Sequence, residues 1–336
     1  MSYSIAERLA NNLGDPIKEP YGNALLVIPE NSISNLFAER FDIKDAMDLN
    51  KFHQAFRICT EGQGNELKSI NNVISSALLP LLTFFRLFGK NSGYTLNLRL
   101  DDSPAPVVFD RCFFEVRNSV IKLPSCVDVA LYSSDSKVML FLESKLSEYN
   151  RVSNDLEIKH GYAELYNDEK FREILNHGDI IVEGDKLKLK SRERAYFEGL
   201  KQTISHLIGL VQGPSQNRKG VYYPSEYLND YVECYNKANT IYYSTIILDP
   251  KEIGVLDLDG SYKNYLALYK DTIGDNGKEI IECIRHWCKL KNDTQKKICI
   301  IKEAFLVLQE AYYDSIYMYL HRCRRIFDSC HSALRY

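Results

Sequence analysis

Hydrophobic and polar positions change period several times along the chain, and each change marks an element. Residues 1–60 read as short helices separated by Pro16, Pro20 and Pro29. Gly62-Gln63-Gly64 interrupts the pattern, and Asn65 to Phe88 then has the spacing of a longer helix, capped by Asn65 and kinked or split at Pro80. From Tyr94 the period falls to two. Tyr94–Leu100, Val107–Val116, Cys126–Tyr132 and Val138–Lys145 read as strands, with a loop over 101–106 and a turn at Ser133–Ser136. Asn154–Tyr166 and Asp168–Asn176 read as helices, and Asp179–Lys190 as a hairpin about Glu183-Gly184-Asp185. A strong helix over Glu193–Val211 stops at Gly213-Pro214, and Thr240–Leu248 is a further strand. From Tyr262 the pattern is mostly helical, ending in a long helix from about Gln295 with Ile298, Ile301, Phe305, Leu308, Tyr312 and Leu320 as its buried stripe. Helix, three strands, helix, strand predicts an α/β fold with one mixed sheet and helices against it. The expected organisation is a helical N-terminal segment (1–60), a core (61–250) and a helical C-terminal subdomain (251–336).

The strand faces bring chemistry into view. Alternate side chains of a strand share a face. Val138, Leu140 and Leu142 therefore form one apolar row, while Met139, Phe141, Glu143 and Lys145 share the other. A turn at Ser133–Ser136 pairs Tyr132 with Lys137 and Asp128 with Phe141, which sets Asp128 on the Glu143 face and diagonal to Glu143. A one-residue slip would turn Asp128 away. Two converging carboxylates repel unless a positive charge lies between them. An oxygen donor set selects a hard cation, Mg2+ or Mn2+, which can polarise a phosphoryl oxygen and activate water. Lys145 adds a charge that can orient the water or stabilise the developing oxyanion. The plainer alternative is an exposed Glu143–Lys145 ion pair, which is worth little.

Composition narrows the classes. The 336 residues permit one large domain or two smaller ones, with 45% hydrophobic and 26% charged positions, as in ordinary globular proteins. The net charge of −3 excludes a globally basic binder, so any nucleic acid must be held by a local basic patch. Nine cysteines contain no CxxC pair, which argues against a zinc ribbon and for free thiols in a reducing cytoplasm. No signal-peptide apolar core opens the chain. The longest apolar run, around Ala77 to Phe88, is broken by Pro80, Thr83 and Arg86, so no membrane association is expected. No GxxxxGK[ST] motif is present, so no built-in ATP-driven motor is implied.

The string Pro124-Ser125-Cys126-Val127-Asp128-Val129-Ala130, followed by Phe141-Leu142-Glu143-Ser144-Lys145, resembles the PD-(D/E)xK nuclease superfamily, and within it a bacterial restriction endonuclease-like group. In that motif a proline directly precedes the Asp; here Val127 does, and Pro124 lies four residues upstream. The resemblance covers roughly residues 60 to 250. It implies a restriction endonuclease-like core and metal-dependent hydrolysis of DNA, in defence against foreign DNA. Asp128 and Glu143 match the metal ligands, the Ser144 carbonyl is a further ligand candidate, and Lys145 matches the catalytic lysine. The family often carries an extra Glu on the helix before the strands. Glu66 is the candidate, on the stripe of Ile70, Val73 and Ala77, unless it merely complements the helix dipole. Family members often have a Gln on the later helix. Gln202 fits, with His206 one turn on. Both either reach substrate or water or belong to a solvated face with Ala195, Gly199 and Gly209.

Two basic or aromatic features remain. Lys186, Lys188 and Lys190 alternate with Leu187 and Leu189. They are candidate phosphate contacts, or else the charges of a solvated edge strand. Tyr222, Tyr223, Tyr227, Tyr231 and Tyr235 read as packing residues rather than base-stacking ones. The expected partner is DNA, and a homodimer is compatible. A repair or RNA nuclease, a non-catalytic nucleic-acid-binding module of the same fold and a protein-interaction module are the alternatives.

Overall fold

The apolar runs between residues 111 and 145 become adjacent strands of one sheet, whereas the run expected over Val107–Val116 breaks at Asp110 and its first part pairs with Leu96–Leu98 in a separate two-stranded sheet. The computed structural model describes residues 46–60, 78–90, 92–100, 103, 105–121, 124–145, 153, 155–190, 197–216, 223–248, 259–290, 296–303, 305–307 and 334–335. The elements are α1 (Ala46–Thr60), α2 (Leu78–Phe84), β1 (Leu96–Leu98), β2 (Val107–Phe109), β3 (Arg111–Asn118), β4 (Ser125–Ser133), β5 (Val138–Lys145) and β6 (Asp155–Glu157). Next come α3 (Ala163–Asn167), α4 (Glu169–His177), β7 (Ile180–Glu183), β8 (Lys186–Leu189), α5 (Phe197–Gln212), α6 (Ser225–Lys237) and β9 (Thr240–Leu248). After β9 lie α7 (Asp259–Leu268), a π-helical turn Tyr269–Gly274, α8 (Gly277–Trp287), β10 (Lys297–Ile300), β11 (Phe305–Val307) and β12 (Leu334–Arg335).

The central sheet has the order β12-β11-β9-β5-β4-β3, with β10 also pairing β9. β3, β4 and β5 form an antiparallel meander, and β9 runs parallel to β5. The α/β class with one mixed sheet is therefore present. Both faces of the sheet are covered. On one, the rings of Phe113 and Phe141 meet Tyr231 of α6, and Tyr243 of β9 reaches Thr203 of α5. On the other, the Cys112 thiol donates to the Phe84 carbonyl, and Phe88 stacks on Phe114. This double cover explains why β5 is buried at every position, Met139 and Phe141 included. The tyrosine cluster packs as expected: the hydroxyls of Tyr227, Tyr231 and Tyr235 donate to the Phe114 carbonyl, Asn118 Oδ1 and the Leu210 carbonyl.

Two expected helices are corrected. Asn154–Tyr166 opens as strand β6, because Leu156 pairs with Leu187 of β8; a 3-10 turn follows at His160–Tyr162 and α-helix begins at Ala163. The opening of the final helix expected from Gln295 is also replaced. Residues 297–300 and 305–307 run parallel to β9 and widen the central sheet. Ile298, Ile300 and Ile301 are β-branched and favour a strand, and β9 offers them a ladder. Their three-residue spacings are too short a run to separate helix from strand. The chain beyond residue 250 is thus not a purely helical unit. Leu308, Tyr312 and Leu320, and most of 1–60, lie outside the described residues. No helix among the described residues is long and apolar enough to cross a membrane, and their seven cysteines are free thiols.

Helix α5 lies unusually close to the sheet. A Cβ at Gly209 would stand 2.8 Å from Asn118 Cβ and 3.3 Å from Ser125 Cβ. The small residue on that stripe therefore permits a close approach. Gly209→Ala is expected to destabilise the fold by about 1–3 kcal/mol, because overpacking outweighs the gain in helix propensity. Urea unfolding measures it, and unchanged stability would mean that α5 is free to move outward.

Candidate active site

Three neighbouring strands lose regular pairing at one level. The β4–β5 ladder runs from Ser133↔Val138 to Val129↔Leu142, and its next step sets Asp128 opposite Glu143. The turn occupies 134–137, one residue later than the sequence pattern predicts. Ser133, fully buried at the strand end, closes it by accepting from the Ser136 N–H at 3.2 Å, while Asp110 accepts from the Ser134 N–H at 2.9 Å. Tyr132 accordingly pairs with Met139, and Asp128 no longer faces Phe141. The change preserves the two-residue alternation but makes Asp128 the direct rather than diagonal neighbour of Glu143. On the other side, β3 and β4 pair at Phe114↔Val129 and Val116↔Val127 and skip the step between. That step is Glu115 and Asp128, and Glu115 has φ +50. Glu115, Asp128 and Glu143 therefore form one row across three strands.

Lys145 binds this row to α5. Its Nζ donates to Glu143 Oε1 at 2.7 Å and to Gln202 Oε1 at 2.8 Å. Asp128 Oδ2 accepts from the Ser144 N–H at 2.6 Å. In a strand, the N–H and C=O of one residue point to the same neighbour. The Ser144 carbonyl is thus directed to the Asp128 side, beyond the last β4–β5 pair. His206 Nε2 stands 3.0 Å from Glu143 Oε2, at ion-pair distance but without good hydrogen-bond alignment. His206 Nδ1 is 2.6 Å from Ser125 Oγ. Glu143, Lys145 and His206 are buried, whereas Asp128 and Gln202 are half-buried and form the accessible side.

The two facing carboxyls are driven apart electrostatically. Burial pushes Glu143 up, but Lys145 and His206 together pull it down further, to about 2. Burial, then the charges of Glu143 and Glu115, lift Asp128 well above the usual carboxylate range, against Lys145 and the Ser144 N–H. Such divergence marks a site where negative charge is concentrated. Among the described residues, no three His, Cys, Asp or Glu side chains group closely enough to hold a metal by themselves. The set that fits a hard cation is two carboxylates, Asp128 and Glu143, with the Ser144 carbonyl. Glu143 Oε2 is a buried oxygen without an aligned hydrogen bond, which leaves it able to ligate.

The other sequence candidates fare differently. Glu66 lies outside the described residues. His206, expected as a nucleic-acid contact, is sealed between Ser125 and Glu143. The Lys186–Lys190 track is on the separate β6-β8-β7 sheet, and its lysines are already engaged. Lys186 pairs with Asp155 at 3.2 Å, Lys188 with Glu183 at 2.5 Å, and Lys190 donates to the Asn176 carbonyl at 2.9 Å. The cause is β6, unforeseen in the sequence, which supplies Asp155, together with Glu183 on β7. Leu187 is buried as expected. Sequence reasoning missed Glu115 and Ser125. The one available signal for Glu115 was a lone carboxylate inside the apolar run Cys112–Val116. Comparison with family models, with curated proteins and with solved structures finds no significant match to this chain.

Proposed function

We propose that the chain is a divalent-metal-dependent nuclease that hydrolyses DNA phosphodiesters with a restriction endonuclease-like core. The observation that carries this reading is Asp128 opposite Glu143, with Lys145 held between Glu143 and Gln202. With β6–β8, α3, α4 and α6 set aside, the order α2, β3–β5, α5, β9 is helix, three strands, helix, strand, as the sequence pattern predicts.

Asp128, Glu143 and the Ser144 carbonyl would hold Mg2+ or Mn2+, which supplies Lewis-acid charge to the scissile phosphate and the attacking water. The residues do the rest. Half-buried Asp128 and Gln202 meet the phosphate first. Lys145 adds positive charge in a site shielded from water, where it counts for more than at a surface, and steadies the negative charge developing on the phosphate. Gln202 spends its carbonyl oxygen on Lys145 and so presents amide N–H donors for a phosphate oxygen or the water.

The test is incubation of the protein with supercoiled, linear and single-stranded DNA and with RNA, in Mg2+, Mn2+ or EDTA. Cleavage of DNA that disappears in EDTA is expected; cleavage of RNA alone would overturn the substrate class. In calorimetry, Asp128→Asn and Glu143→Gln should each weaken Mn2+ binding. At a hundredfold excess over Kd the cation should stabilise the wild type by roughly 2.7 kcal/mol. No heat of binding and no melting shift would sink the metal centre.

A further inference from the structure

We infer that His206, fixed at its far nitrogen by Ser125, is a positioning residue that holds the Glu143 carboxylate in its ligating orientation. This rests on the nuclease reading of the site and adds a residue to it. The imidazole spans two strands: Nδ1 is 2.6 Å from Ser125 Oγ on β4, and Nε2 is 3.0 Å from Glu143 Oε2 on β5. All three residues are buried, with Ser125 5%, His206 2% and Glu143 2% exposed, so water does not compete for these contacts.

The Glu143 carboxylate can only accept, so the nitrogen that faces it, Nε2, carries a proton. Nδ1 accepts from the Ser125 hydroxyl in the neutral ring and donates to it in the charged one. In both forms the imidazole is held from both sides.

The two oxygens of Glu143 are shared out. Oε1 takes Lys145 and Oε2 faces His206 at ion-pair distance, so the carboxylate is bounded on two sides. A glutamate has several rotatable bonds, and an unconfined one would lose entropy on meeting a cation. Partners that orient a ligating side chain are worth about 10–100-fold in metal affinity. The close approach at Gly209, one turn beyond His206, brings α5 within reach of Ser125. His206 does not touch solvent or substrate, so its effect must pass through Glu143.

Asparagine and glutamine separate this role from simple packing. The side-chain amide nitrogen of His206→Gln takes the place of Nε2 and can still donate to Glu143. His206→Asn reaches only the Nδ1 position, next to Ser125. The experiment measures Mn2+ binding by calorimetry, and kcat and KM for DNA cleavage, in the wild type, His206→Gln, His206→Asn, His206→Leu and Ser125→Ala. His206→Gln should bind Mn2+ within about threefold of wild type, while His206→Asn and His206→Leu should bind about 10–100-fold more weakly, with kcat reduced and KM for DNA little changed. Ser125→Ala should fall between. If Asn preserves Mn2+ affinity and Gln does not, or if all variants bind alike, the positioning role is overturned and the nuclease reading stands. A wild type that takes up no Mn2+ overturns both. His206→Leu is the variant most exposed to misfolding, and the Gln–Asn comparison decides the matter without it.

Discussion

Lys145→Ala is expected to lower DNA cleavage by roughly 10²–10³-fold, the usual loss when one stabilising donor is taken from a reacting centre. It should also destabilise the fold by about 3–5 kcal/mol, since the Glu143 carboxylate is left buried without its ammonium. An exposed strand pair would have predicted no such loss. Lys145 and Glu143 are only 3% and 2% exposed, however, and their atoms stand 2.7 Å apart. The double variant Glu143→Gln/Lys145→Met separates the two effects. It removes both charges, keeps similar volumes, and should recover most of the stability while remaining inactive. Activity of Lys145→Ala within a few-fold of wild type, after correction for the folded fraction, would remove Lys145 from the chemistry. Acid titration adds a check. The folded Glu143 carboxyl sits at about 2, below the unfolded value near ~4.3. Its contribution is therefore complete above the unfolded value and is lost as pH falls through the folded one. That acid phase should be absent in Glu143→Gln.

The parts of this fold that were legible in the sequence are those decided locally. Val138–Lys145 and Thr240–Leu248 have the same bounds as strands in the structure as in the apolar pattern, because long β-branched and apolar runs state their own period. The facing of Asp128 and Glu143 followed from alternation together with the expected turn, and it survived the turn's displacement because the pairing shifted by an even count. What depended on distant partners was not legible. Burial of the Glu143–Lys145 face requires α5 to cover it, and nothing within β5 reports that cover. Glu115 joins the row only through the β3–β4 register. His206 acquires its role from Ser125, 81 residues away in the chain. Lys186 stayed open to a phosphate-contact reading because β6, whose Asp155 pairs with it, was read as helix. At the C-terminal end, Ile298 and Ile301 fitted a helical stripe as well as a strand, and only the waiting edge of β9 decides between the two.

Asp128→Asn should raise the melting temperature of the metal-free protein while weakening its hold on Mn2+. Burial and the neighbouring charges of Glu143 and Glu115 lift the Asp128 carboxyl well above its usual range. The sign follows from linkage: a carboxyl whose folded value exceeds its unfolded value binds its proton more tightly in the fold. Ionising it therefore costs stability, and that cost accumulates as pH rises from the unfolded value, about 3.9, to the folded one. At pH 7 the native state carries the part of this cost accumulated between the unfolded value and that pH. Asparagine has no charge to repel, and its Oδ1 can still accept from the Ser144 N–H, the bond that Asp128 makes at 2.6 Å. A gain on the order of 1 kcal/mol is expected, as for other relieved functional sites. For a domain of 150–250 residues that is roughly 2–4 °C. At pH 4 in EDTA the advantage should shrink, because the wild-type carboxyl is then largely protonated. Adding Mn2+ at pH 7 should reverse the order, since the cation stabilises the wild type by mass action and has lost a ligand in the variant. Melting curves in EDTA and in Mn2+ that keep the same order would show that the crowding of carboxylates at Asp128 does not serve a cation.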